Sequence, residues 1–298
     1  MKKILLSIVF IFSALWAGLT WFAASKTEDV FNKMLVESNQ QLAESTAMLS
    51  MQKQSFKKGF ISSHAKSIIH IRPELLNDAF AIPLEHEIYH GPLMATSAGL
   101  KVGTSYIVTS LDLGALNPEK QGIINQVFAG KQALFSTTQT NFDGSFTEFF
   151  EISPLTIDAA IFATLFQLPQ SKGSDFNLSL AGIKGEFSST AKNDYLYANV
   201  STGLLNLSGH DNGENFNLRV AEARVSLDID ELYKGMMLLG RSSLEIPAIH
   251  FKSHAGSFSL IDTALTMTMK EQADDYLENF SLEINKIRLK TRKITLPE

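Results

Sequence analysis

Hydrophobic positions open the chain as one unbroken block. Residues 4–24 carry no charge, and nothing polar larger than Ser or Thr interrupts them. A helix of that length runs about 32 Å, enough to cross a bilayer. Lys2 and Lys3 precede the block, whereas Lys26, Glu28 and Asp29 follow it. Cationic side chains ahead of the span place the N-terminus in the cytoplasm and the remaining chain across the membrane. Trp16 and Trp21 sit toward the C-terminal end of the block, where amphipathic rings favour the interface. A cleaved signal peptide would carry a shorter apolar region, about 7–15 residues, ending in a small-x-small pair. The pairs on offer here, Trp21 with Ala23, Phe22 with Ala24 and Leu15 with Ala17, are poor. The pattern therefore predicts an uncleaved signal-anchor, a transmembrane helix over 1–24.

Residues 28–57 contain neither Gly nor Pro and are rich in Gln, Glu, Met and Leu. Phe31, Met34, Leu35, Leu42, Met48 and Leu49 form a partial stripe at helical spacing. The expectation is a second helical segment over 25–58, continuous with the anchor and serving as a stalk or as a dimerising helix. Its heptads are too broken for a regular coiled coil.

From Gly59 the texture changes to short apolar runs separated by turn residues, which predicts one β-rich domain over 59–298. Runs at 67–71, 86–93 and 105–113 read as strands. Asn117-Pro118 opens a short helix whose apolar face is Ile123, Ile124, Val127 and Phe128, with Gly130 as its stop. Asp143-Gly144 sits between 137–142 and 146–152, and Asn212-Gly213 between 204–207 and 216–220; both pairs predict hairpins. Residues 222–230 alternate cleanly between an apolar and a polar set, as in a half-buried antiparallel strand. Phe216, Leu218 and Val220 keep the opposite parity, predicting a bulge near Ala221. A similar slip shows at 284–287. Residues 231–239, stopped by Gly240, read as a short helix, and 157–168 as a buried one bounded by Asp158 and Pro169. The sum is a β-dominated (α+β) fold, a long antiparallel, curved meander with a few short helices, behind an N-terminal membrane helix.

Composition narrows the function classes. The chain has 298 residues, a net charge of −5 and no cysteine. Disulfides, thiolate metal sites and cysteine nucleophiles are excluded. The mild acidity, without a basic cluster, argues against a nucleic-acid partner. Phe outnumbers Tyr and Trp together, 21 against 6 and 2, which suits a core or an apolar groove better than a polar recognition surface.

Three landmarks carry a resemblance: Trp16-Ala17-Gly18 in the anchor, the run Lys58-Gly59-Phe60-Ile61-Ser62-Ser63-His64-Ala65, and the run His86-Glu87-Ile88-Tyr89-His90-Gly91-Pro92-Leu93. Together they resemble the YdgA-like family, bacterial proteins of unknown function anchored in the inner membrane and facing the periplasm. The resemblance covers about the first 110 residues, and the later strands match only in texture. In the family's first landmark Leu usually precedes Phe; here Phe60 precedes Ile61. Members are commonly longer, so the chain reads as a short relative or as one lacking a C-terminal portion. The resemblance implies no activity, no cofactor and no catalytic residue. Gly59, Phe60, Ser62, Ser63, His90, Gly91 and Pro92 are its motif residues, structural or binding in role.

Candidate chemistry is sparse. His86 and His90 are four apart on an expected strand and so share a face, which makes them candidates for one metal ion, with His64 and His70 as further ligands. The competing reading makes His90 a structural ring that anchors the Gly91-Pro92 turn. Asp228, Asp230 and Glu231 are three close carboxylates, better explained by a wet strand face passing into a helix N-terminus than by a calcium loop. Nucleophile elbows and phosphate loops are absent. Residues 157–168, 236–239 and Leu265, Met267 and Met269 are more apolar than a wet-backed sheet requires, which is either core or a lipid-facing groove. The leading expectation is a non-enzymatic inner-membrane protein, bound to the bilayer through residues 4–24. Its periplasmic domain would bind lipid or an envelope protein in envelope maintenance. The alternatives are a metal-dependent periplasmic hydrolase using His86 and His90, and a dimeric scaffold.

Overall fold

The computed structural model describes residues 2–45, 49–71, 80–165, 174–192, 195–211, 214–233, 237–272 and 275–291. The chain is β-dominated and antiparallel, with few helices and one long helix at its N-terminus. It divides into two compact units, one of residues 1–118 and 134–148, the other of 119–133 and 149–298, where the sequence pattern suggests a single domain over 59–298.

In the first unit, helix α1 (Lys2–Ser45) is followed by strands β1 (Leu49–Lys57), β2 (Ser62–Ile71), β3 (Phe80–His90), β4 (Leu93–Thr96), β5 (Gly99–Val102), β6 (Ser105–Leu111) and β7 (Leu134–Thr140). The strands order as β1-β2-β3-β6-β7, while β4 and β5 form a separate hairpin. The alternation of β2 and β3 sorts their side chains. Ser63, Ala65 and Ser67 on β2 and Leu84, His86, Ile88 and His90 on β3 are buried on one face. Helix α1 covers that face with Thr20, Ala24 and Phe31.

One expectation about the N-terminal region needs correction. Residues 49–57 are strand β1 and not the end of a stalk helix, because Met51 pairs with Ile69 and Phe56 with Ala65. Sheet pairing overrides helical propensity here. Among the described residues no helix is long and apolar enough to cross a membrane; the side chains of residues 4–9 lie outside that set. The second half of the apolar block is also not free, since residues 16–31 of α1 rest on the sheet. Further along, both amide groups of the Asn39 side chain bond to the main chain of Met51, at 2.7 and 2.6 Å. A single side chain thus occupies the outer edge of β1 at that residue.

The second unit begins within helix α2 (Pro118–Val127) and within β8 (Phe146–Ile152), and continues through β9 (Leu155–Asp158), α3 (Ala159–Leu165), β10 (Ser174–Leu180), β11 (Ile183–Ser189), β12 (Leu196–Thr202), β13 (Leu205–Asp211), β14 (Glu214–Val220), β15 (Arg224–Tyr233), β16 (Met237–Ser253), β17 (Gly256–Gln272) and β18 (Asp275–Thr291). Gly130 closes α2 by donating to the Asn125 carbonyl. Asp158 caps α3 through a 2.8 Å bond to the Ile161 amide, so 157–168 is a short strand end followed by a helix. Pro169 lies outside the described residues, as do Asn212 and Gly213, although β13 and β14 pair as the hairpin reading requires.

The described residues of 231–239, namely 231–233 and 237–239, are strand and not helix. Glu231, Leu232 and Tyr233 pair with Leu239, Leu238 and Met237 across a β15–β16 hairpin. Gly240 is not a helix stop but the site of a close approach: at φ 146° a side chain there would run into the Asp228 carbonyl. The expected bulge near Ala221 is a short interruption, since β14 and β15 lie one after the other along the same edge of β16.

That interruption belongs to a line that crosses four strands. Ala221 donates to Ala248. Pro247, Asp262 and Asn285 then sit opposite one another without ladder pairs, although the register on either side is unchanged. Asp262 has φ 51°, and its carboxylate accepts a 3.1 Å bond from Asn285. At this line each strand shifts its alternation by one residue. Leu244, Leu265 and Leu282 lie on one side of it, and Ile249, Leu260 and Ile287 on the other. The slip read at 284–287 is the β18 member of this line.

Candidate functional site

The three sequence landmarks converge on one place, the junction of α1 with the first sheet. The indole Nε1 of Trp16 donates to the Leu93 carbonyl at 3.1 Å, and its ring meets Phe60 edge-on at 6.4 Å. The Gly59 amide donates to Ser63 Oγ at 3.2 Å. His90 Nε2 donates to the Gly59 carbonyl at 3.1 Å, which fixes the tautomer, while Nδ1 faces the Thr27 hydroxyl at 3.4 Å. The His90 amide donates to Ile61, and Lys58 reaches the Ser25 carbonyl at 3.3 Å. The ring of His90 therefore ties the end of β3 to the β1–β2 turn and to α1, rather than to the Gly91-Pro92 turn. Ser62 pairs with Tyr89 in the ladder. Pro92 accepts from Gly103 at the base of the β4–β5 hairpin.

His86 occupies the next position inward. Its Nε2 pairs with Ser67 Oγ at 2.8 Å and its Nδ1 with Thr109 Oγ1 at 2.9 Å, and Phe31 of α1 lies over it, 5.4 Å between ring centres. Burial lowers its pKa from 6.5 to about 4, so the ring is neutral near pH 7. His90 is shifted the same way, again mainly by burial. The two rings do share a face, as the spacing implies. On an extended strand, however, four residues span about 13 Å, Ile88 lies between them, and each ring has its own partners. A single ion held by both rings does not fit this geometry. His64 is exposed, and His64 and His70 alternate onto the opposite face of β2. Among the described residues no group of three or more His, Cys, Asp or Glu could hold a metal ion.

The contacts that α1 contributes were hidden in its apolar block. Thr20, Ala24, Thr27 and Phe31 recur at helical spacing and are the side chains that meet the sheet. Their stripe was the available signal. It goes unnoticed because Thr and Ala read as neutral within a membrane helix. Thr20 is fully buried, and its hydroxyl has no hydrogen-bond partner among the described residues. It packs beneath Gly91, whose φ of 115° suits glycine. A Cβ at Gly91 would stand 2.5 Å from Thr20 Oγ1. Gly91→Ala is therefore expected to cost about 2 kcal/mol of unfolding free energy in denaturant titration. Adding Thr20→Ala should recover the clash but not the backbone strain, leaving the double variant between wild type and the single.

A second candidate lies in the other unit. Among the residues of β17 and β18 whose burial is described, none is buried, yet one set of their side chains is strongly apolar. Phe280, Leu282, Ile287 and Leu289 are exposed, Phe280 at 65% and Leu289 at 73%. Their ladder partners on β17 are Met267, Leu265, Leu260 and Phe258. The alternate positions on β18, Ser281, Glu283, Lys286, Arg288 and Lys290, are polar. Because all strands shift phase at the same line, the apolar set continues across it. An open cavity of about 690 Å³ follows that line, lined by Pro247, Asp262, Thr263 and Ile284 among others. Asp228 and Asp230 lie on β15, where Asp228 pairs with Arg241, so the expected helix N-terminus beside them is absent.

A family model described as bacterial protein of unknown function (DUF945) matches residues 1–295. No curated protein and no solved structure matches the chain.

Proposed function

The chain belongs to the bacterial family of unknown function DUF945, and from that premise we propose that it is a non-enzymatic, membrane-anchored envelope protein that binds lipid acyl chains. The carrying observation is the bare apolar face of β16–β18. A contiguous apolar surface of this kind marks an interaction site rather than an ordinary solvated sheet. Fully covering one Leu, Ile or Phe is worth about 1.5–3 kcal/mol, and the rows on β18 offer several such side chains side by side. The polar alternate face keeps the sheet wettable on its other side. An array of aliphatic and aromatic side chains of this kind matches hydrocarbon.

The address in this proposal rests on the sequence. The uncharged block at 4–24, with Lys2 and Lys3 ahead of it, supports an inner-membrane anchor with the β units in the periplasm.

The test uses phospholipid with a photoactivatable diazirine in its acyl chain, fed to cells expressing the full chain. Adducts are expected on peptides spanning 279–290. They should fall at least severalfold in a Leu282→Asp/Leu289→Asp variant, while adducts on the N-terminal helix persist as internal control. Labelling confined to that helix would sink the lipid-binding reading.

A further inference from the structure

Helix α1 leaves the sheet at Trp16. Before that point Phe10, Ile11, Phe12 and Leu15 are exposed, Phe10 at 74%. From Lys3 to Trp16 the helix rises only about 20 Å, whereas the hydrocarbon layer is about 30 Å thick. With the N-terminal lysines at one interface, Trp16 is still about 10 Å short of the other; tilting the helix widens the gap. Whatever grips Trp16 must then enter the leaflet or thin it.

The grip is made by one end of the first sheet, and that end is apolar. Phe60 and Ile61 in the β1–β2 turn, Leu93, Leu100 and Val102 on the β4–β5 hairpin, and Phe142 in the β7–β8 turn are all exposed, Leu100 at 66% and Phe142 at 63%. A chain of contacts links them into one rim. Phe60 and Leu93 both touch Trp16. Leu93 faces Val102 across the hairpin, Gln139 holds the Val102 carbonyl at 3.1 Å, and Thr104 reaches Asn141, next to Phe142, at 3.4 Å. Met94, 1% exposed, pins the hairpin from its other face.

Backbone entering hydrocarbon must satisfy its own polar groups, and several main-chain groups at this end do so. The amides of His90, Gly91, Gly103, Thr104, Asn141 and Gly144 all donate to main-chain carbonyls of the same end. Lys58 and Lys101 stand at its flank, Lys101 lying 5.2 Å over the Tyr106 ring. Long cationic side chains with aromatic neighbours are the usual furniture of a headgroup boundary.

We infer that this rim is a membrane-inserting surface, occupied by the outer leaflet of the bilayer that holds α1. The inference rests on the anchored reading above, which makes the protein seated in the bilayer rather than held away from it on a stalk.

The chain lacks cysteine, so single-cysteine variants of the full protein can carry spin labels without background. Labels at Leu100→Cys, Phe142→Cys, Phe12→Cys and Ala81→Cys are compared in phospholipid nanodiscs by their collision rates with oxygen and with a water-soluble nickel chelate. Ala81 is an exposed residue near the opposite end of β3. Positions 12, 100 and 142 should all be oxygen-accessible and shielded from nickel, with 81 the reverse. If position 12 reads as lipid while either 100 or 142 reads as water, the rim is not inserted, and the anchor stands. If position 12 reads as water, the anchor and the rim both fall.

Discussion

Replacing Phe31 with alanine is expected to cost about 3 kcal/mol and to release the middle of α1 from the sheet. Phe31 is 7% exposed and packs on Phe56, 5.9 Å between ring centres, and on His86, with Ala65 and Ile88 beneath. A Phe→Ala exchange in such a setting loses transfer energy and leaves a void, because β-sheet neighbours cannot move in to fill it. The value sits at the low end of the range since a helix can settle more readily than a strand. Met34, three residues on and exposed, is the control, and Met34→Ala should stay within about 0.5 kcal/mol of wild type. Urea unfolding of the detergent-solubilised chain gives the free energies, and amide exchange along α1 gives the location. Equal effects at the two positions would show that α1 is not held as described.

Acidification should produce a loss of similar size through His86. Its pKa is 6.5 unfolded and about 4 folded, so between those values the unfolded chain binds more protons. The stabilising contribution is complete above pH 6.5 and declines as the pH falls toward 4, by about 3 kcal/mol in all. His90 adds to the same trend, since burial lowers its pKa too. Carboxylates also titrate at the lower end, so the informative quantity is the difference between wild type and His86→Gln. Glutamine keeps polar atoms near Ser67 and Thr109 but does not titrate. The variant should be less stable at pH 7 and lose markedly less on going to pH 4. Parallel pH curves for the two proteins would exclude a buried neutral His86.

The parts of this fold that could be read from sequence are those whose signals are local. Asn117-Pro118 and Gly130 bracket α2 because capping and helix stops are local chemistry. Asp143-Gly144 marks its turn for the same reason. Residues 49–57 misled because no Gly or Pro separates them from α1, and only pairing with β2 makes them a strand. The 231–239 segment misled for the opposite reason. Glu231 and Gly240 look like helix punctuation, yet Gly240 is there to let Asp228 approach. At the candidate site, alternation correctly put His86 and His90 on one face. It could not show that Phe31 lies over one ring and Thr27 beside the other, since those contacts join residues more than fifty positions apart. The bare apolar face was half legible. Its hydrophobic runs were visible at Leu265, Met267 and Met269, but whether another layer covers them is a property of tertiary structure.

The bond pair between Asn39 and Met51 bears on how copies of this protein could join. With α1 alongside and the Asn39 amide seated on Met51, β1 is stoppered against an incoming strand. Among the described residues β18 pairs only with β17 and β9 only with β10, so the outer edges of those two strands are open. Two copies meeting β18 against β18 would make a self-complementary contact that consumes both of those edges. A strand adding at β1 would first have to dislodge Asn39.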